Sequence, residues 1–238
     1  MNSLFISKIS INWDRISPDS YLRDIPELKG VEELRLKSPV TFLAGENGTG
    51  KSTLLEGIAI AYGFNPEGGS KNYSFSTCDS HSELSNAITL SRGIQRSRWG
   101  YFLRAESFYN VATKERDYVD GAHPSLGLHE KSHGESFMTI IQSHLSSAGL
   151  YLLDEPEAAL SPQRQLSLLI EMRNAVEAGA QFLIASHSPI LLGFPDADIL
   201  SFDQEKLSFI TYEETESYQV TEMFINNRDY LLKRLLDL

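Results

Sequence analysis

The chain has 238 residues and a formal charge of −11, from 21 Lys and Arg against 32 Asp and Glu. This length allows one large domain or two small ones, and the acidic balance disfavours constitutive binding to nucleic acid or anionic membranes, although a local basic groove stays compatible with it. The single cysteine, Cys78, excludes an intramolecular disulfide, and without a secretory signal or a long apolar run we expect a cytoplasmic protein with no stable membrane insertion.

The first part of the chain predicts strands at residues 4–12, 31–36 and 40–44. The third of these, VTFLA, is short, apolar and partly β-branched, which is typical of a buried strand. Residues 52–62 carry apolar side chains at helical spacing and end at Gly63, so they predict a helix. The loop at residues 45–52 is therefore expected to connect a buried strand to a helix.

This loop, GENGTGKS, fits the P-loop pattern G-x-x-x-x-G-K-[ST]. Its glycines let backbone N–H groups approach phosphate oxygens, and the following helix N-terminus attracts the anion. Lys51 is expected to reach the β- and γ-phosphates, and Ser52 to coordinate Mg²⁺. The remaining residues predicted to bind ATP are Gly45, Glu46, Asn47, Gly48, Thr49, Gly50 and Thr53.

Residues 71–128 have no regular spacing of apolar residues, except for one strand expected at 99–104. After this stretch the apolar residues again follow the spacing of helices and strands. Helices are predicted at residues 135–147 and 162–178, and strands at 149–153 and 181–185. Strands that alternate with helices predict a mainly parallel sheet covered on both faces by helices. The last segment, at about 218–238, carries a broken apolar stripe and predicts a docked helix, with a partner-binding helix as the alternative.

Two acidic residues, Asp154 and Glu155, follow the strand predicted at residues 149–153. An acid at the end of such a strand can hold Mg²⁺, and the next one can polarise the attacking water. Asp154 is therefore the predicted Mg²⁺ ligand and Glu155 the predicted catalytic base, with a merely solvated strand end as the other interpretation.

A second set of residues indicates contact with phosphate from other elements. Ser132 and Glu135 have the spacing of a capping box, but a serine hydroxyl and the Gly134 amide at a helix N-terminus also form an anion site. The P-loop already provides an anion site for the chain's own nucleotide. The second anion site therefore suggests one that binds the nucleotide held by another copy. His187, just past the strand at 181–185, is predicted to contact the γ-phosphate.

In this order the motifs resemble an ABC-type ATPase. GENGTGKS resembles Walker A, KSHGE the signature, LYLLDEP Walker B, Ala159-Leu160-Ser161 the D-loop and His187 the H-loop. These motifs, in the form in which they occur here, look closer to the RecF/SMC-like branch. The chain is also similar to small stand-alone bacterial proteins described as AAA family or predicted ATPases. The resemblance spans residues 40–192.

The resemblance implies one α/β P-loop domain over residues 1–238, an ABC-ATPase-like head with an N-terminal antiparallel β portion and a reduced helical subdomain at about 71–130. It implies ATP and Mg²⁺ as cofactors. It also implies a head-to-tail homodimer, in which the P-loop of one copy meets Ser132, Gly134 and Glu135 of the other. DNA maintenance or defence against mobile DNA is the implied process, with an effector protein or nucleic acid as a further partner.

Two departures from the family pattern concern the residue expected near the metal and the length of the segment before the signature. The usual Q-loop glutamine is not evident, so Glu106 is the substitute expected near Mg²⁺. The segment from Glu106 to Ser132 is too short for the full helical subdomain of a transporter cassette. Trp13 and Tyr21 are candidates for stacking on adenine, but core packing is the favoured role for both.

Other functions stay open. His129-Glu130-Lys131-Ser132-His133 matches the zinc-protease pattern H-E-x-x-H, although the expected helix starts at its end rather than running through it. The chain also fits the ATP-binding subunit of an ABC transporter, which shares the site chemistry. A nucleotide-gated binding module with negligible turnover is the remaining alternative.

Overall fold

The computed structural model describes residues 4–70, 83–93, 97, 99–104, 133–145, 148–203 and 206–237. Within these ranges the elements are β1 (Ile6–Ile11), β2 (Glu33–Arg35), β3 (Val40–Ala44), α1 (Lys51–Tyr62), β4 (Gly69–Ser70), α2 (Leu84–Ala87), β5 (Ile88–Arg92), β6 (Trp99–Leu103), α3 (His133–His144), β7 (Gly149–Asp154), α4 (Pro162–Glu177), β8 (Gln181–Ser186), α5 (Pro189–Leu192), β9 (Asp198–Ser201), β10 (Ser208–Ile210) and α6 (Glu216–Leu235). A 3₁₀ turn, Pro156–Ala159, links β7 to α4. No helix in these ranges has the length and apolarity needed to cross a bilayer.

The larger sheet has seven strands in the order β10-β9-β3-β8-β7-β6-β4. The five inner strands are parallel to one another, and β10 and β4 pair antiparallel at the two edges. Every residue of β3, β7 and β8 is buried, because other elements cover both faces of the sheet. The predicted mainly parallel sheet is thus confirmed.

The smaller sheet is antiparallel, in the order β2-β1-β5, and confirms the expected N-terminal antiparallel portion. Its strand β5 lies in the stretch where only one strand was expected. In the described part of residues 71–130, α2 is a short helix and β5 and β6 belong to the two sheets. The sequence pattern missed β5 because its stability comes from pairing with β1, which is far away in the chain.

The two sheets are joined by the side chain of Gln181, which is almost fully buried at the start of β8. The Ile6 backbone N–H donates to Gln181 Oε1 at 2.9 Å, and Gln181 Nε2 donates to the Ile6 carbonyl oxygen at 2.8 Å. One amide side chain therefore satisfies both polar groups of a buried peptide segment in the neighbouring sheet.

The expectation of a docked C-terminal helix is wrong for α6. None of its residues is buried, and Ile225 and Leu235 are 71% and 73% exposed. The helix does contact α5 and the 3₁₀ turn Tyr212–Glu214 that precedes it. The apolar stripe predicted the helix correctly, but a stripe does not specify which surface, if any, covers it.

We expect Gln181→Met to lower the free energy of unfolding by about 2–4 kcal/mol, because the buried N–H and C=O of Ile6 lose their partners. Urea denaturation followed by circular dichroism measures this change. The matched control is Gln163→Met on the exposed face of α4, which should change stability by less than about 0.5 kcal/mol. Equal stability of the two variants would show that Gln181 does not join the sheets.

Candidate nucleotide-binding site

The P-loop follows β3 and leads directly into α1, as the sequence predicts. Gly45, Gly48 and Gly50 have φ angles of 149°, 88° and 94°, a region that side-chain-bearing residues rarely adopt. A Cβ atom at Gly45 would also lie 2.8 Å from Asp203 Oδ1. The loop conformation therefore requires glycine, and it leaves the exposed backbone at residues 46–48 open to a ligand.

Lys51, the first residue of α1, is 3% exposed and its ammonium lies inside the loop. Its Nζ donates to the carbonyl oxygens of Gly45 at 2.7 Å and Glu46 at 2.5 Å. Burial lowers the pKa of Lys51, and nearby carboxylates oppose that shift. These carboxylates are, in order of effect, Glu155, Asp203, Asp154 and Glu157. An anionic phosphate oxygen is a stronger acceptor for the ammonium than the carbonyls that now hold it.

The two predicted Mg²⁺ ligands in the described chain lie in direct contact. Ser52 Oγ donates to Asp154 Oδ1 at 2.8 Å, which joins the start of α1 to the end of β7. Mg²⁺ binds through one or two protein oxygens and completes its shell with phosphate and water, so this pair fits the ion. The described residues contain no cluster of three or more His, Cys, Asp or Glu side chains suited to a metal cage.

Several other predicted ligands cannot be placed. Glu106 lies outside the described residues, as do four of the five residues of the H-E-x-x-H match, His129, Glu130, Lys131 and Ser132. Of that pattern only His133 falls in the described chain, where it is the first residue of α3.

Glu155, the predicted base, directly follows Asp154 in a left-handed backbone conformation with φ 46° and ψ 53°. Such a conformation costs about 1 kcal/mol for a non-glycine residue and persists only where the surroundings hold it. Here the Glu155 N–H donates to the Ala185 carbonyl oxygen of β8 at 2.9 Å. The sharp turn after β7 is thus fixed by the neighbouring strand.

The backbone of His187, the predicted H-loop residue, is held by Glu157, which the sequence patterns did not single out. Glu157 Oε1 accepts hydrogen bonds from Ser186 Oγ and the His187 N–H, both at 2.7 Å, and from the Ser188 N–H at 3.2 Å. It also lies 3.4 Å from His187 Nδ1. The sequence did contain a signal for this contact, because a buried acidic residue in the turn after β7 must accept hydrogen bonds from nearby donors.

A second missed residue, Asp203, acts on the P-loop itself. Its Oδ1 accepts the Glu46 N–H at 2.8 Å, and its own N–H donates to Ser201 Oγ at 3.2 Å. Asp203 follows β9, which pairs with β3, so it reaches the same sheet edge as the P-loop. Recognition of β9 in the sequence would have placed it there.

The P-loop and His187 share one cleft of about 440 Å³, which is bounded on its far side by the start of α6. Its lining residues are Ala44, Gly45, Glu46, Asn47, His187, Asp203, Thr215, Glu216, Ser217 and Val220. The predicted residues of three separate loops therefore meet at one edge of the sheet, since Asp154 is tied to the P-loop helix as well.

Gly134 and Glu135, predicted to belong to the signature, lie at the start of α3, close to the end of the 3₁₀ turn and the first residues of α4. Glu135 Oε1 forms an ion pair with Arg164 Nη2 at 3.2 Å. A Cβ atom at Gly134 would be 3.0 Å from the Ala159 carbonyl oxygen and would overlap Arg164. A side chain at residue 134 would therefore require a small shift of the backbone near Ala159, whereas the flexible end of Arg164 could move aside.

The two aromatic candidates for adenine stacking differ in their surroundings. Trp13 packs against the core and its Nε1 donates to the Val31 carbonyl oxygen at 2.9 Å, in agreement with a packing role. Tyr21 is 58% exposed, so the expectation that it packs in the core is wrong.

Family models match much of the chain. A model described as "AAA domain" (AAA_23) matches residues 22–143, which is just over half of the chain. A second, described as "AAA domain, putative AbiEii toxin, Type IV TA system" (AAA_21), matches residues 136–193.

Two curated proteins and several solved structures are also similar. Ribose import ATP-binding protein RbsA of Roseobacter denitrificans is 25% identical over 72% of this chain and 38% of its own length. The uncharacterized ABC transporter ATP-binding protein YthP of Bacillus subtilis is 27% identical over 63% of this chain and 65% of its own. The chain thus spans less than two thirds of either relative.

Among the solved structures are the SMC head domain from Thermotoga maritima and cbiO1 from Clostridium perfringens. Both have a TM-score of 0.47 and cover 87% of this chain. The first is 12% identical and is covered over 99% of its length, and the second is 17% identical and covered over 91%. On the match of the AAA_23 model to more than half of its residues, together with the P-loop geometry, the chain belongs to the AAA-domain family of P-loop, ATP-binding proteins.

Proposed function

We propose that the protein hydrolyses Mg-ATP in a head-to-tail homodimer and that this reaction drives a switch between joined and separated copies. The observation that carries the proposal is the contact between Ser52 Oγ and Asp154 Oδ1 at 2.8 Å. It brings together one oxygen from the P-loop helix and one from the strand that precedes Glu155. A phosphoryl-transfer site needs two such protein oxygens to hold Mg²⁺ beside the phosphates.

In this mechanism the P-loop amides and Lys51 bind the phosphates of ATP. Ser52 and Asp154 would hold Mg²⁺, which neutralises charge on the β- and γ-phosphates when bound. Glu155 orients a water molecule and accepts its proton while the water oxygen attacks the γ-phosphorus and the bond to ADP breaks. His187, fixed by Glu157, contacts the γ-phosphate.

The partner copy completes the site in this proposal. The chain carries a P-loop and, at the start of α3, a segment predicted to bind a second anion, in which Gly134 lies near the Ala159 carbonyl oxygen and Glu135 pairs with Arg164 of α4. Ser132, Gly134 and Glu135 of one copy would therefore meet the γ-phosphate bound by the other. Each copy then contributes half of two equivalent sites.

Lys51→Ala should raise the dissociation constant for ATP by about 100-fold or more, because it removes the buried cation of the P-loop. Isothermal titration calorimetry with Mg-ATP measures the change. Lys29→Ala, at an exposed lysine outside the loop, is the matched control and should bind ATP as the wild type does. Unchanged affinity of the Lys51 variant would place the nucleotide elsewhere.

Glu155→Gln should lower kcat by about 100- to 1,000-fold and leave the affinity for ATP within about threefold, because the base is lost and the phosphate contacts remain. Steady-state phosphate release measures turnover, with Glu32→Gln at an exposed position as the control. If the wild type itself releases no phosphate above background, the nucleotide-gated binding module is the correct function.

Two inactive variants should complement each other if the site is shared. Lys51→Ala removes the P-loop half and Ser132→Arg the signature half, so neither hydrolyses ATP alone. In an equal mixture about half of the dimers are mixed and hold one intact site, and turnover should return to roughly a quarter of the wild-type rate. Circular dichroism confirms that both variants fold. A mixture as inactive as its components would refute the head-to-tail site.

A second candidate function is favoured by the curated relatives, both of which are named as ATP-binding proteins of transport systems. As the ATP-binding subunit of an ABC transporter, the chain would copurify with a polytopic membrane protein. For the homodimer switch, we propose DNA maintenance or defence against mobile DNA, supported by the resemblance of the motifs and by the toxin-system description of one matching model. Affinity capture with Glu155→Gln in Mg-ATP distinguishes a membrane protein, an effector protein and nucleic acid.

A further inference from the structure

Glu157, in the 3₁₀ turn after β7, uses its two carboxylate oxygens unequally. Oε1 accepts three hydrogen bonds, from Ser186 Oγ, the His187 N–H and the Ser188 N–H. Oε2 is buried and has no hydrogen-bond partner in the part of the chain that the structure describes. Each carboxylate oxygen offers about two acceptor sites, so Oε1 is fully used and a further donor has to approach Oε2.

The unpaired oxygen does not contribute to stability. The side chain of Glu157 is 7% exposed, and a buried acceptor without a donor destabilises the folded state. A neutral side chain with one acceptor oxygen would hold the same three donors without burying a charge. We therefore expect Glu157 to have a task besides holding the backbone of the loop.

A donor of the required kind lies beside this carboxylate. His187 Nδ1 is 3.4 Å from Glu157 Oε1, which is longer than a well-formed hydrogen bond. The imidazole is 49% exposed, so it has room to turn about the bond that carries the ring. Its other nitrogen, Nε2, is then available to a ligand in the cleft that His187 shares with the P-loop.

The backbone of the loop is also held from a second side. Ser188 Oγ donates to Gln165 Oε1 of α4 at 2.5 Å, and it accepts the Ile190 and Leu191 N–H groups at the start of α5. A change of charge at Glu157 should therefore leave the loop folded. The effect of such a change would fall on the His187 ring.

We propose that Glu157 is a positioning residue for His187: its Oε2 accepts the Nδ1–H, and this contact directs Nε2–H to the γ-phosphate. The ring is doubly protonated in this arrangement and takes its second proton from the solvent. The carboxylate on one side and the phosphate on the other both stabilise the resulting cation. The proposal rests on the proposed function, since it takes ATP as the ligand of the cleft.

A cationic ring suits the charges around it. The other charged residues that line the cleft in the described chain are Glu46, Asp203 and Glu216, which are all acidic. They repel the γ-phosphate and favour a positive charge on the imidazole. A phosphate that enters the cleft therefore gains more from an imidazolium than from a neutral ring.

Glu157 acts through His187 rather than on the substrate. Burial lowers the pKa of Lys51 and four carboxylates oppose that shift, of which Glu155 has the largest effect and Glu157 the smallest. Since the Lys51 ammonium marks the place of the β- and γ-phosphates, Glu157 lies farther from the reacting atoms than Glu155 does.

Isothermal titration calorimetry with Mg-ATP and Mg-ADP, in a Glu155→Gln background that stops turnover, tests the proposal. Glu157→Gln keeps an oxygen for the three donors but places an amide NH₂, which cannot accept, at the position of Oε2. It should weaken ATP binding by about tenfold and leave ADP binding within about twofold, because only ATP has the γ-phosphate. An equal loss for both nucleotides, or no loss for ATP, overturns the proposal.

The matched control is Glu177→Gln, at an exposed carboxylate of α4 that pairs with Arg173. It should bind both nucleotides as the background protein does, because an exposed ion pair contributes little. Circular dichroism and the urea midpoint should be the same for both Gln variants and the background.

A double-mutant cycle with His187→Ala separates positioning from a general structural role. If Glu157 acts through the ring, His187→Ala should weaken ATP binding by a similar factor, and adding Glu157→Gln should weaken it no further. An additional loss in the combined variant contradicts the positioning role. A background protein that binds neither nucleotide overturns the proposed function as well, whereas ATP binding that does not depend on Glu157 overturns only this inference.

Discussion

The parallel alignment of β9, β3, β8 and β7 is the constraint on which the rest of the molecule depends. Parallel strands end at one edge, so the loops that follow them meet there whatever their distance along the chain. The P-loop and His187 come directly after β3 and β8, Asp154 is the last residue of β7, and Asp203 lies two residues after β9. The hydrogen bond from Ser52 to Asp154 crosses β8, which lies between the two strands that position its ends. A site assembled in this way depends on sheet order more than on any single loop.

The same alignment concentrates negative charge around one ammonium. Asp154, Glu155, Glu157 and Asp203 all act on Lys51, and backbone N–H groups hold the carboxylates of Glu157 and Asp203. A nucleotide with its own phosphate charges would be repelled by such a surrounding without a counter-charge. In the proposed reaction a bound Mg²⁺ would supply this counter-charge, so acidic residues are compatible with an anion-binding site.

Local patterns in the sequence were sufficient for the elements that carry the site. The strand before the P-loop was predicted with its observed bounds, and the P-loop helix differs by one residue at its start, because apolar runs and glycine caps are local signals. β5 and the Glu157 and Asp203 contacts depend instead on residues far away in the chain. The apolar stripe of α6 was also visible, but its exposure was not, because spacing shows a face and not its neighbour.

The 3₁₀ turn Pro156–Ala159 is four residues long, yet it touches two regions with different tasks. At one end the Ala159 carbonyl lies against Gly134 at the beginning of α3, and near its start Glu157 holds the backbone of His187. These two contacts lie only two residues apart in the chain. The 3₁₀ turn therefore connects the beginning of α3 to the backbone of His187 by a path along the surface of the sheet edge, outside the packed interior.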